Sequence, residues 1–117
     1  MTGRDQRGAA TAELAMSIPL LVSVTIGLVW LLSVGVAQVR MVDAAREAAR
    51  ATARGDPVDE AVSRGERVAP GSTVTVTVSD GAAVAIASGA VEPPGGLLGF
   101  LPAVSLQARA VTAVESP

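Results

Sequence analysis

The most prominent feature of the chain is a run without charged residues from Leu14 to Val39. Fourteen of its 26 residues are Leu, Ile or Val. About 20 predominantly apolar residues are enough for a helix to cross the roughly 30 Å hydrocarbon core of a bilayer. At roughly 0.3–0.6 kcal/mol each near the bilayer centre, these side chains favour insertion by about 4–8 kcal/mol. The pattern therefore predicts one membrane-spanning helix.

The helical pattern continues beyond the apolar run. Residues 38–54 read QVRMVDAAREAARATAR, which is rich in strong helix formers. The valines and alanines of this segment give a mild apolar face, and Gly55 is a typical helix stop. We therefore predict one helix from about Ala9 to Arg54, on the order of 70 Å long at 1.5 Å per residue.

The period of the apolar residues changes after residue 56. Val58, Ala61 and Val62 predict a short helix, and the alternation TVTVTV that starts at Thr73 predicts a strand. Residues 82–88 and 104–114 predict two further strands. The predicted fold class is α+β: a long N-terminal transmembrane and stalk helix, followed by a short helix and a small three-stranded antiparallel sheet.

The register of the first hairpin depends on its turn. A three-residue loop at residues 79–81 pairs Val74 and Val76 with Ile86 and Val84, which gathers these large side chains on one face. A two-residue Asp-Gly loop would pair the same Ile and Val with threonines instead. Because burial of the large side chains should decide the register, we predict the three-residue loop.

The loop at residues 89–103 is rich in Gly and Pro, yet it carries four large apolar side chains, Leu97, Leu98, Phe100 and Leu101. A loop this apolar either folds back over the sheet or contacts a partner or a membrane. We predict that it folds back, because the sheet is otherwise poor in large side chains.

The start of the apolar run carries a short motif. Gly8 ends a short polar segment with two arginines, and Glu13 is the fifth residue after it. This spacing resembles the signal of type IV prepilins, which are cut after Gly and have Glu as the fifth mature residue. With Pro19 and the AREAAR run at residues 45–50, the stretch resembles the TadE-like family of minor pilins from tight-adherence (Flp-type) pili. The resemblance covers roughly residues 7–55.

The resemblance implies a domain organisation and a function. Residues 1–8 would be a prepilin-like leader, residues 9–55 the transmembrane and stalk helix, and residues 56–117 a small extracytoplasmic α+β domain. A prepilin peptidase would cut between Gly8 and Ala9. The mature chain would assemble with other pilin and pilus-assembly subunits and would support pilus biogenesis and adhesion.

The resemblance also implies a location: the cell membrane, crossed once, with a cytoplasmic N-terminus, and after assembly the pilus. Arginines on both sides of the apolar run leave the orientation undecided on charge alone. Membrane lipid is then a further partner.

Glu13 has a physical role in this interpretation. A carboxylate at the edge of the hydrocarbon core is costly unless it is paired. A cut after Gly8 would leave an ammonium on Ala9, about one helical turn away, and a neighbouring subunit displaced along the axis could offer this ammonium to Glu13. The alternative is that Glu13 marks the helix edge and faces the lipid headgroups.

Small residues recur at four-residue spacing through the first half of the run, a stripe that allows close approach of helices in a bilayer. The alternative is that small residues are simply abundant in an alanine-rich chain. The predicted packing residues are Ala15, Pro19, Ser23 and Gly27.

Composition excludes several classes of function. The chain has no His and no Cys, which excludes thiol chemistry, Ser-His catalysis and His- or Cys-based metal sites. Its nine basic residues form no patch interleaved with aromatic residues, so nucleic-acid binding is not expected. We also expect no enzymatic activity, no cofactor, no metal and no small-molecule substrate.

Two alternatives to the pilin interpretation remain. The first is an uncleaved, single-pass, membrane-anchored extracytoplasmic binding module, although that function would leave the spacing of Gly8 and Glu13 unexplained. The second is a secretory signal peptide cut after Gly35-Val36-Ala37. The apolar run is much longer than the 7–15 residues that are usual for such signals.

Overall fold

The structure is a computed structural model that describes residues 2–115, with side chains described at residues 6–96 and 98–115. It confirms the predicted α+β fold class. The elements in chain order are α1 (Thr2–Ala53), α2 (Val58–Val68), β1 (Thr73–Ser79), β2 (Ala82–Val91), a 3₁₀ turn (Gly96–Leu98) and β3 (Val104–Ala113). The sheet is antiparallel throughout, with strand order β1-β2-β3.

Helix α1 dominates the molecule, which measures 89 × 19 × 19 Å. It begins at Thr2, seven residues earlier than predicted, and it continues through Pro19. Gly55 ends it in the left-handed conformation, with φ of +97°. The Asp56 N–H donates to the Ala51 carbonyl oxygen at 3.1 Å, and the Gly55 N–H donates to that of Thr52 at 3.0 Å. This Schellman motif confirms Gly55 as the helix stop.

The sheet and α2 pack on the C-terminal half of α1, where small side chains meet small side chains. Ala44, Ala45, Ala48 and Ala49 of α1 are fully buried, as are the alanines of β2 that share the core cluster with them. Because most of the facing side chains are small, the helix and the sheet approach closely. Larger side chains in the same cluster come from Met41, Val74 and Leu106. We call this contact the alanine seam; its β2 members are Ala85 and Ala87.

The predicted register of the first hairpin is wrong. The turn has two residues, Asp80 and Gly81, with φ of +52° and +75°, as type I′ hairpins require. Ile86 and Val84 therefore pair with Thr75 and Thr77, and they lie half-buried on the sheet face that points away from α1. The alanines occupy the inner face because α1 presents alanines there, and larger side chains would force the two layers apart.

Strand β2 is longer than predicted and ends at Val91, so the loop begins at Glu92. The loop does fold back, but its 3₁₀ turn packs on α1 and does not cover the sheet as predicted. Phe100 remains 80% exposed. The predicted position over the sheet is wrong because the long β2 carries the loop past the sheet to the apolar half of α1.

Candidate functional site

The N-terminal half of α1 has an uncovered apolar surface. Its Leu, Ile, Val and Met side chains between Leu14 and Leu32 are 42–79% exposed. By length and composition, α1 is a helix that could cross a membrane. Because the rest of the described chain leaves most of this surface open, the helix is consistent with a single-pass membrane anchor.

The hydroxyl groups within this surface are satisfied inside the helix. Four of them donate to the carbonyl oxygen four residues earlier, at 2.7–3.0 Å. An unpaired polar group is costly in hydrocarbon, where no water can replace the missing bond. These bonds therefore lower the cost of the polar residues in the span, namely Ser17, Ser23, Thr25 and Ser33.

Gly8, Ala9 and Glu13 all lie on the exposed surface of α1, near its start. Glu13 is four residues, or about one helical turn, beyond Ala9. Among the side chains described at residues 6–96 and 98–115, the salt bridges all join residues within the segment 47–64. None of these salt bridges involves Glu13. The structure thus brings the predicted processing and assembly residues together, with the carboxylate open to a partner outside the chain.

The peptide bond between Gly8 and Ala9 lies within the helical run and not before it, as the prediction of a separate leader implied. A Cβ at Gly8 would meet no atom within 4 Å, so nothing in the described chain obstructs the backbone there. A peptidase that cut this bond would have to unwind this part of the helix, and local opening costs little near a helix end.

The predicted small-residue stripe divides into two parts. Ala15 and Pro19 are exposed, whereas Ser23 and Gly27 are half-buried. The cause at Gly27 is Leu98, whose Cδ1 lies 3.7 Å from the position of a Cβ at that glycine. The chain's own loop therefore covers the C-terminal end of the stripe, at Gly27. Only the N-terminal end, at Ala15 and Pro19, is open to another helix.

The contact between the loop and the span was not predicted from the sequence. The Trp30 indole N–H donates a hydrogen bond to the Glu92 carbonyl oxygen at 3.1 Å. Together with the packing of Leu98 on Gly27, this bond fixes the loop at residues 92–103 against the apolar half of α1. One signal was available: Trp30 is the only Trp of the chain and lies late in the apolar run, where interfacial anchors are common.

Most of the described charged groups lie beyond the apolar run, from Arg40 onward. The Asp56 carboxylate forms salt bridges with Arg54 at 3.5 Å and with Arg64 at 3.8 Å. All three side chains are partly exposed. Such pairs contribute little to stability. Across the described residues, no group of three or more acidic side chains is placed to hold a metal ion.

Comparison with known proteins bears on α1 alone. Residues 8–50 match the family model described as TadE-like protein, which confirms the resemblance noted in the sequence. The match begins at Gly8, ends at Arg50 and does not reach α2 or the sheet. No curated protein and no solved structure matches the chain significantly.

Proposed function

We propose that the chain is a minor pilin of a tight-adherence type IV pilus. In this proposal α1 spans the cell membrane once, the N-terminus is cytoplasmic and residues 56–117 are extracytoplasmic. A prepilin peptidase cuts after Gly8, and the mature chain assembles through α1 with other pilin and pilus-assembly subunits. Its role is structural, in pilus biogenesis and adhesion, and includes no catalysis.

One observation carries the proposal: Glu13 is an exposed carboxylate at the head of an exposed apolar helix, five residues after Gly8. A bilayer anchor alone has no need of a charge at this position, which makes insertion less favourable. The family match supports the proposal, because it begins at Gly8 and includes the whole span.

Assembly gives the carboxylate a partner. The Ala9 ammonium produced by the cut lies about 6 Å below Glu13 along the axis, at 1.5 Å per residue. A neighbouring mature subunit displaced upward by about this distance brings its ammonium level with Glu13. Between apolar helices the pair is shielded from water, and a misaligned neighbour would leave two buried charges unpaired. The pair therefore selects one axial offset between subunits.

The mature mass of the protein purified from membranes tests the proposal. Processing after Gly8 removes eight residues, signal-peptide processing after Ala37 removes far more, and an uncleaved anchor keeps the full mass. We expect the first result, and we expect Gly8→Leu to leave only the full-length precursor. Gly35→Leu is the matched control, because Gly35 is an exposed helical glycine with open space around its Cβ position.

The mass of the parent protein and the two variants together separate the three possibilities. Loss of processing in Gly8→Leu, with normal processing in Gly35→Leu, supports the pilin proposal. The opposite pattern identifies a signal peptide. Full mass in the parent protein overturns the proposed cleavage and favours the membrane-anchored binding module.

A further inference from the structure

We propose that the loop at residues 92–103 is a second membrane anchor, which lies in the outer interface of the bilayer and inserts apolar side chains into the lipid. The inference rests only on the membrane-spanning part of the proposed function. It needs neither the cut after Gly8 nor assembly into a pilus.

The strands carry this loop to the membrane end of the extracytoplasmic part. At the far end, the Glu115 N–H donates to the Ala53 carbonyl oxygen at 3.2 Å. Further down α1, Gly89 lies against the Met41 methyl group, and below that Trp30 donates to the Glu92 carbonyl oxygen. Strand β2 thus runs along α1 toward the span, and the loop that follows it lies beside the apolar surface.

The loop has the composition of a lipid contact. No charged residue occurs between Glu92 and Arg109. Phe100 is 80% exposed, and Leu98 packs directly on the span at Gly27. A groove between the loop and the span is lined mainly by apolar side chains, namely Ile26, Val29, Trp30, Val91 and Pro94. The exposed apolar surface of the loop is therefore continuous with that of α1, and the same lipid can cover both.

The loop also limits the position of the bilayer along α1. The uncharged run would be about 39 Å long as a helix, which exceeds the roughly 30 Å of hydrocarbon. Irregular backbone exposed to lipid is excluded from the hydrocarbon core, because its polar groups would go unsatisfied. The upper boundary therefore lies at the level of the loop contacts, near Gly27 and Trp30, and the core extends down for about 20 residues to Ala10.

This position has three consequences that hydropathy alone does not give. Residues 31–39, although apolar, lie above the hydrocarbon core, in the headgroup region and beyond. Trp30 lies at the interface, where its amphipathic ring is favoured and where its N–H already has a partner in the loop. Glu13 falls just inside the opposite boundary, where an unpaired carboxylate is costly.

Spin labels can measure the depth of the loop directly. The chain has no Cys, so single-Cys variants of the full-length protein can be labelled specifically. The loop site is Phe100→Cys, where a nitroxide side chain replaces a ring of similar size and apolarity. Leu21→Cys in the span and Val78→Cys at the far end of the sheet are the matched controls, with 63% and 56% exposure in the parent. Each is reconstituted at high dilution in vesicles of phosphatidylethanolamine and phosphatidylglycerol.

Power-saturation electron paramagnetic resonance compares collisions with oxygen, which is concentrated in lipid, with collisions with a water-soluble nickel complex. We expect collisions with oxygen to exceed those with nickel strongly at position 21 and more weakly at position 100. At position 78 we expect collisions with nickel to exceed those with oxygen. Nickel dominance at position 100 together with lipid contact at position 21 overturns the loop anchor and leaves the spanning helix intact.

Two other outcomes also overturn the anchor, for different reasons. Nickel dominance at position 21 would refute the membrane helix itself, and with it the topology in the proposed function. Protection from both reagents at position 100, with dipolar broadening that grows with protein density, would show that a second copy of the chain covers the loop in place of lipid.

Discussion

Gly65 of α2 lies directly on the backbone of α1 at Ala44. A Cβ at position 65 would lie 3.0 Å from the Ala44 carbonyl oxygen and 3.2 Å from the Ala48 Cβ. Neither atom belongs to a flexible side chain, so neither can move without shifting α1. The absence of a side chain at Gly65 therefore sets how closely the two helices pack.

Gly65→Ala should destabilise the extracytoplasmic part. Overpacking costs about 1–3 kcal/mol, and the better helix propensity of Ala returns about 1 kcal/mol of this. We expect a net loss on the order of 1 kcal/mol and a Tm lower by several degrees. The measurement is thermal unfolding of the full chain in detergent micelles, followed by circular dichroism.

Gly35→Ala is the control for Gly65→Ala, because a Cβ at Gly35 would meet no atom within 4 Å. It makes the same chemical change in a helix and should leave the Tm unchanged or slightly raised. Equal Tm values for the two variants would show that α1 and α2 do not pack as closely as described.

The register of the sheet predicts opposite sensitivities at two neighbouring residues. Ala85 is fully buried in the alanine seam, whereas Ile86 lies half-buried on the outer face. Ala85→Leu should cost about 1–3 kcal/mol or more, because it forces the sheet away from α1. Ile86→Ala should cost less than Ala85→Leu, because little of its side chain leaves a packed core. Urea unfolding compares the free energies of unfolding of the two variants. A larger loss of stability for Ile86→Ala would support the register with the three-residue turn.

Removal of the charge at Glu13 should impair assembly and spare insertion. Glu13→Gln keeps the shape of the side chain but leaves a neighbour's ammonium without a charged partner, which costs about 3–5 kcal/mol when the pair is buried. We expect membrane levels like those of the parent and a loss of at least about tenfold in co-purification with other pilus subunits.

Asp43→Asn is the matched control for Glu13→Gln. It removes an exposed carboxylate from the same helix, but outside the apolar run. Normal co-purification is expected for this control. If Glu13→Gln also co-purifies like the parent, the carboxylate only marks the membrane edge.

The topology predicts which residues can be labelled from outside. Val78→Cys, near the β1–β2 turn, should react with a membrane-impermeant maleimide in spheroplasts. Gln6→Cys, placed in the Gly8→Leu background so that the leader is kept, should react only after the membrane is opened. Labelling of position 6 but not of position 78 in closed spheroplasts would mean that the orientation is inverted.

Local patterns sufficed to predict most of the fold. The apolar run, the AREAAR segment and Gly55 predicted the long helix and its end, because helix period and capping depend on nearby residues only. The hairpin register failed for a non-local reason. The expectation that Ile86 would be buried ignored the fact that the partner surface, at Ala45 and Ala49 of α1, admits only small side chains. The Asp80-Gly81 pair, a strong type I′ signal, was the better guide.

In the candidate site too, features that depend on nearby residues could be predicted, and features that depend on distant contacts could not. Gly8 and Glu13 could be named as candidate residues from their spacing, because both lie on one short helical segment. The contact between Trp30 and Glu92 joins residues 62 positions apart, and it depends on where β2 ends. A shorter β2, as predicted from the sequence, would have left the loop beside the sheet, so no local pattern could place it on the span.

The location of Gly8 inside α1, and not ahead of it, affects the electrostatics of processing. The peptide dipoles of a helix add up to about half a positive charge at its first turn. In the uncut chain this charge lies at Thr2, about 10 Å before Ala9 along the axis at 1.5 Å per residue. The proposed cut would move the dipole end to Ala9, beside the new ammonium, and would free N–H groups that had carbonyl partners in residues 5–8. A neighbour's Glu13 would then meet both the Ala9 ammonium and the positive end of the helix dipole. The precursor has neither charge at Ala9, so it would be unable to assemble before it is cut.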